Sequence, residues 1–136
     1  MTTEHLTPKK LFLIENDSKI YTNAIILLGF YGFAVDHHTD SHEAVRFLEE
    51  SCKERTESPY DVYVLDGNTT PGNKKGEDGK MVYDWLEARG FEDRVVGFSS
   101  LPFGDVIGRY FPRERDVSFK NIGQLALVSQ RVAKLI

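Results

Sequence analysis

Asp66 closes the run Tyr60-Asp61-Val62-Tyr63-Val64-Leu65-Asp66, a largely apolar stretch that ends in a carboxylate. A carboxylate at the carboxyl end of a buried strand sits where open parallel sheets gather ligands and chemistry. It can act as a nucleophile toward a phosphoryl group, a transfer that depends on positioning and on offsetting the charge spread over the equatorial oxygens. Three further segments carry groups suited to that task. Glu15-Asn16-Asp17 follows the apolar run Leu11-Phe12-Leu13-Ile14, Ser99 follows Arg94-Val95-Val96-Gly97-Phe98, and Lys120 ends Asp116-Val117-Ser118-Phe119-Lys120. Acidic side chains suit a hard divalent cation such as Mg2+, and a lysine adds a second positive charge.

The elements that must position these groups alternate along the chain. Leu11–Ile14 reads as a buried first strand. Ile20, Ala24, Leu27, Leu28 and Tyr31 then recur at helical spacing from Ser18 to about Tyr31, and Gly32 stands where a left-handed cap closes the helix. Phe33–His37 is a second strand, and Asp40 three residues before Glu43 is a capping pattern that opens a helix through Leu48. The polar stretch Glu49 to Pro59 is the connection to the third strand, which carries Asp66. A loop rich in glycine, asparagine and lysine leads to a helix near Lys80 to Arg89, with Met81, Trp85 and Leu86 facing inward and Gly90 at its end. Arg94–Phe98 is the fourth strand and Asp116–Lys120 the fifth. Ile122, Leu125, Val128, Ser129, Val132, Leu135 and Ile136 fall on one face of a final helix. Between Pro102 and Pro112, Gly104 and Gly108 would each weaken a helix by about 1 kcal/mol relative to alanine, so that segment is read as short or mobile.

Five strands alternating with helices imply right-handed crossovers and a parallel five-stranded sheet covered on both faces, an α/β doubly wound (βα)5 sandwich; the strand order taken for it is the flavodoxin-like 2-1-3-4-5. In that order the ends of strands one, three, four and five are neighbours. Glu15, Asn16, Asp17, Asp66, Ser99 and Lys120 then face one shallow pocket.

Composition narrows the class. A chain of 136 residues with 40 % hydrophobic and 28 % charged residues fits one globular domain, read as residues 10–136 after an extension of residues 1–9. No apolar run approaches the roughly 18 residues that span a bilayer, and the N-terminus lacks the pattern of a secretory signal. A cytoplasmic location follows, which suits a chain whose single cysteine, Cys52, can form no internal disulfide and no cysteine-based zinc or redox pair. The net charge of -4, without a basic stripe, argues against direct nucleic-acid binding.

Taken in order, each at a strand end, these residues resemble the receiver domain of two-component response regulators over nearly the whole chain. The resemblance implies that Glu15-Asn16 stands at the family's acidic pair, Asp66 at the phosphoacceptor, Ser99 at the switch hydroxyl and Lys120 at the conserved-type lysine. Gly67-Asn68 follow as the two intervening residues, and the backbone carbonyl of Asn68 would join Glu15, Asn16 and Asp66 around Mg2+. The partners implied are a histidine kinase or phosphotransfer protein upstream and a downstream effector protein. The face of the fourth helix, fifth strand and fifth helix is the one through which a homodimer would form. A chain that ends at its fifth helix reads as a stand-alone receiver or as an excised piece of a longer protein, and in either case as a phosphoacceptor with at most slow self-dephosphorylation, not an enzyme.

Three positions depart from the family's pattern. Asn16 offers a neutral amide oxygen where an acid is usual, which weakens Mg2+ binding unless Asp17 compensates. Asn121 follows Lys120 where proline in a cis peptide is usual, and a cis bond without proline costs roughly 2.5 to 4 kcal/mol, so a trans bond is expected. Val117 stands where a switching aromatic is frequent. These departures define the alternative, a pseudo-receiver acting as a phosphorylation-independent protein-interaction module. The loop from Thr69 to Asp78 is longer than the family's, with Lys74-Lys75 inserted; the solvated-loop reading is preferred over a role in phosphodonor recognition.

Each residue also has a plainer reading when taken singly. Glu15 and Asp17 suit the positive end of the first helix, and Asp66 suits a turn. Gly76-Glu77-Asp78-Gly79-Lys80-Met81 fails as a phosphate loop, because Met81 replaces the hydroxyl that meets magnesium. His37, His38 and His42, near Asp36 and Asp40, read as a surface cluster in preference to a metal site. A flavin phosphate would meet the wrong charge at Glu15 and Asp17.

Overall fold

The computed structural model describes residues 7–66, 77–100 and 113–135. Strand β1 (Lys9–Ile14) ends in four consecutive buried residues, and β3 (Val62–Leu65) and β4 (Val95–Phe98) are buried throughout. Strands that are apolar on both sides require cover on both faces, which is the condition of a parallel sheet. With β2 (Phe33–His38) at one edge and β5 (Asp116–Val117) at the other, the sheet is parallel with order β2-β1-β3-β4-β5, as expected.

Alternation along each strand sorts the core into two layers. Leu11, Leu13, Val62, Val64, Val96, Phe98 and Val117 face α1 (Ser18–Phe30) and α4 (Ile122–Lys134), meeting Ala24, Leu28, Leu125 and Val128. Phe12, Ile14, Tyr63, Leu65 and Val95 face α2 (Ser41–Ser51) and α3 (Glu77–Ala88), meeting Ala44, Leu48, Val82 and Leu86. Asp17 and Asp40 cap α1 and α2 by accepting backbone N–H bonds, Asp17 from Lys19 and Ile20, Asp40 from Glu43. Gly32 (φ 91°) and Gly90 (φ 78°) follow α1 and α3 in left-handed conformations that cost other residues a steric penalty.

Several boundaries differ from expectation. Lys9, counted with the extension, is the first residue of β1. Helix α2 continues through Ser51, because Glu49 and Glu50 are good helix formers on an exposed face while Leu48 is buried and Cys52 behind it caps the end. Helix α3 already starts at Glu77, so Asp78 is a buried first-turn residue and not part of a loop. Its buried stripe is Val82, Tyr83 and Leu86, whereas Met81 and Trp85 are half-buried at its margin. Leu135, expected inward, is 86 % exposed just past the end of α4. Strand β5 stops at Val117, three residues short of Lys120. The Pro102–Pro112 segment, read from the sequence as short or mobile, Lys74-Lys75 and Ile136 lie outside the described residues. No helix among the described residues is long and apolar enough to cross a membrane.

The three histidines go separate ways. His42 lies 3.8 Å from buried Asp78, and His37 packs against Tyr21 with the rings tilted and their centroids 4.1 Å apart. His38 packs against both Phe12 and Phe47, with ring centroids 4.8 Å away in each case. Burial holds the His38 imidazole below the usual histidine range, helped by His37 and opposed by Asp36 and Glu43. A histidine held low in the folded state binds fewer protons there than when unfolded. Stability is therefore expected to be full above the unfolded pKa of about 6.5 and to decline as pH falls through and below it. Thermal unfolding followed across that range should show the decline flattened in His38→Phe; an unchanged profile would assign the pH dependence elsewhere.

Candidate functional site

The site is assembled from strand ends at the carboxyl edge of the sheet. Glu15 follows β1 and is 1 % exposed, and Asp66 follows β3 and is 8 % exposed. Lys120 comes to both from 105 residues beyond Glu15: its Nζ donates to Glu15 Oε1 at 2.5 Å and lies 3.2 Å from Asp66 Oδ1. The same ammonium lies 4.7 Å from the Phe98 ring centroid, a cation–π placement at the end of β4. Two acids and one ammonium, all largely buried, leave the trio one unit negative.

Lys120 is aimed by its backbone. Phe119 and Lys120 adopt left-handed conformations in succession (φ 56° and 50°), which cost L-residues roughly 1–2 kcal/mol each. Such strain persists where the surroundings over-determine it, and it is concentrated at functional sites. Here the surroundings are visible. The Lys120 N–H donates to the Ser99 carbonyl (2.7 Å), the Ser99 N–H donates to the Val117 carbonyl (2.8 Å), and Asn121 caps α4 by accepting from the Gln124 N–H (3.0 Å). Left-handed residues cannot continue a strand, which is why β5 ends early. No cis peptide occurs among the described residues, so the Lys120–Asn121 bond is trans as expected. Asn121, which departs from the family's proline, serves as a helix cap.

The structure thus brings Glu15, Asp66 and Lys120 into direct contact and ties Ser99, 4 % exposed, to Lys120 through the backbone. Asn16 is exposed. Asp17, named as the residue that could compensate for Asn16, uses Oδ1 on the Lys19 and Ile20 N–H groups (3.0 and 3.3 Å). Its own N–H donates to Glu15 Oε2 at 3.0 Å. Among the described residues no three histidine, cysteine or acidic side chains gather as a metal site. Asn68 lies outside the described residues. Val117 is fully buried in the α1/α4 layer of the core.

Two contributors carried no sequence signal. His37 donates from Nε2 to the Glu15 carbonyl oxygen (2.8 Å), bracing the acid from β2. Phe98 supplies the ring against Lys120; as the residue before Ser99 it was legible only as a strand end. The convergence of two carboxylates on one ammonium shows that a cation is accommodated between Glu15 and Asp66, and an all-oxygen donor set suits a hard divalent ion.

No protein-family model and no curated protein sequence matches the chain. Solved structures do. The receiver domain of the Francisella response regulator 1452 is 20 % identical, with a TM-score of 0.71 over 93 % of this chain and 98 % of that one. A response regulator receiver domain protein from Clostridium thermocellum is 16 % identical, with a TM-score of 0.64 over 93 % and 95 %. The receiver domain of the sensor histidine kinase PA1611 from Pseudomonas aeruginosa PAO1, solved with a magnesium ion in its active-site cleft, is 16 % identical with a TM-score of 0.61 over 93 % and 98 %. The chain has the receiver-domain fold.

Proposed function

We propose that this receiver-fold domain accepts a phosphoryl group on Asp66 from a histidine kinase or phosphotransfer protein and signals through a changed protein-binding face. The observation that carries the reading is the contact of Asp66 Oδ1 with the Lys120 ammonium (3.2 Å) in a pocket it shares with buried Glu15. A carboxylate oxygen of Asp66 forms the new P–O bond as the donor's P–N bond breaks, with the electron pair leaving on the donor imidazole. Lys120 offsets charge on the phosphoryl oxygens, a task that preorganisation by Phe119, Lys120 and Ser99 performs without rearrangement at the moment of transfer. Glu15 and Asp66 would hold Mg2+, which when bound neutralises charge on the transferring group. Ser99, hydrogen-bonding a phosphoryl oxygen, pulls on the loop after β4 and on the Lys120 backbone bonded to it, which changes the neighbouring surface. The domain is a phosphoacceptor in the cytoplasm, not an enzyme in its own right, and its effector is another protein surface.

A second reading has its own support. Val117 is locked in the core, so Ser99 has no swinging aromatic partner at that position, and Asn16 brings no charge. On that reading the fold is a pseudo-receiver that binds partners without phosphorylation. Incubation with a small acyl phosphate and Mg2+, followed by intact mass measurement, separates the two. A gain of one phosphoryl mass that is lost in alkali supports the phosphoacceptor. No gain at any Mg2+ concentration leaves the interaction module.

A further inference from the structure

We infer that the outer face of α1 and α4 is an interaction surface whose occupant is the acidic α2/α3 face of a second copy of this chain. The two helices lie side by side on one face of the sheet and share its core layer. Their outer sides are apolar where a helix facing water is usually polar. Residues three and four apart share one side of a helix. On α1 that stripe runs Lys19, Asn23, Ile26 and Phe30, with Ile26 more than half exposed and Phe30 84 % exposed. On α4 it runs Leu127, Arg131 and Lys134, with Leu127 also more than half exposed and exposed Leu135 just beyond. Single exposed apolar residues are ordinary, but two such stripes on neighbouring helices form a patch of the kind that marks an interface.

Charge selects the occupant. Helices α1 and α4 contain Lys19, Arg131 and Lys134 and no acid, although the whole chain has a net charge of -4. The acids lie across the sheet. Helix α2 exposes Glu43, Glu49 and Glu50 against Arg46, and α3 exposes Glu77, Asp84 and Glu87 against Lys80. Glu43 and Glu50 flank Phe47 at helical spacing, and Phe47 is itself partly exposed, so the acidic face also has an apolar centre. Two α1/α4 faces turned on each other would bring cations together with no acid between them, and like charges across an interface suppress binding. An α1/α4 face on an α2/α3 face instead sets cations against carboxylates around Phe30 and Phe47. That contact is heterologous: each copy uses both faces, so pairing repeats from copy to copy and passes beyond the dimer. It includes α1 and not β5, which separates it from a dimer built on the fifth strand.

The test is sedimentation equilibrium of the full chain over a concentration series at about 0.15 M salt, where a Debye length of roughly 8 Å screens the net repulsion between copies but not close contacts. The weight-average mass of the wild type should rise with concentration past about twice that of the monomer, and fall back toward the monomer at about 1 M salt. Two variants each remove one face: Phe30→Ser, and Glu49→Lys combined with Glu50→Lys, near the end of α2 where cations suit the helix dipole. Each alone should stay monomeric. Their equimolar mixture should reach about twice the monomer mass, because the first keeps its acidic face and the second its basic one. A wild type that is monomeric at every concentration overturns the inference, and flotation of that monomer with phosphatidylserine vesicles would give the face to lipid instead. A mixture that stays monomeric overturns the pairing of unlike faces, and association that neither variant nor salt reduces overturns the faces assigned. Should a variant fail to fold by circular dichroism, Ile26→Ser or Glu87→Lys takes its place on the same face.

Discussion

Asp66→Asn is expected to gain no phosphoryl mass under conditions in which the wild-type chain is modified. The substitution keeps the size and shape of the side chain and replaces the ionised nucleophile by a neutral amide, whose oxygen does not form the acyl phosphate. The fold should survive the change. Lys120 keeps its 2.5 Å bond to Glu15, and the variant removes one of two like charges held around a single ammonium. We therefore expect stability to move by no more than about 1 kcal/mol in either direction, the usual worth of one such hydrogen bond. Intact mass and urea unfolding on the same preparation read both quantities. Modification of the variant at the wild-type level would show that another residue accepts the group.

Glu15→Ala should behave in the opposite manner, with a large loss of stability. Glu15 is almost completely buried and answers three groups: the Lys120 ammonium and the Asp17 N–H through its side chain, and His37 through its carbonyl. Alanine keeps only the last of these. Removing one partner of a buried ion pair leaves the other charge poorly compensated, which typically costs about 3–5 kcal/mol; Asp66 remains beside Lys120, so the lower end of that range applies. A drop of about 3 kcal/mol in urea unfolding is expected, with Glu15→Gln intermediate because the amide oxygen can still accept from Asp17. A loss in Glu15→Ala as small as that of Asp66→Asn would mean that Lys120 relies on Asp66 and not on Glu15. The contrast matters for function, because it distinguishes the acid that organises the site from the acid that would react in it.

Much of this arrangement is legible in the sequence. The apolar runs ending at Ile14, Leu65 and Phe98 marked the strands, Asp40 with Glu43 marked the start of α2, and Gly32 and Gly90 marked helix ends; each is a local signal that folding does not overrule. Given the strand order 2-1-3-4-5, the strand ends then make Glu15, Asp66, Ser99 and Lys120 neighbours at the carboxyl edge. Asp17 is less legible, because an acid just after a strand serves a metal or a helix cap equally well, and only the structure shows its Oδ1 accepting from the Lys19 and Ile20 N–H groups. Leu135 misled because helical spacing continues past the last turn that is packed.

By itself the sequence determined the order of elements and the set of side chains at the carboxyl edge, because periodicity and caps depend on near neighbours in the chain. Only the tertiary structure decided which oxygen meets which nitrogen. The Lys120–Glu15 bond spans 105 residues and depends on two left-handed backbone conformations at Phe119 and Lys120, which no side-chain type announces and which packing around Ser99 and Asn121 imposes.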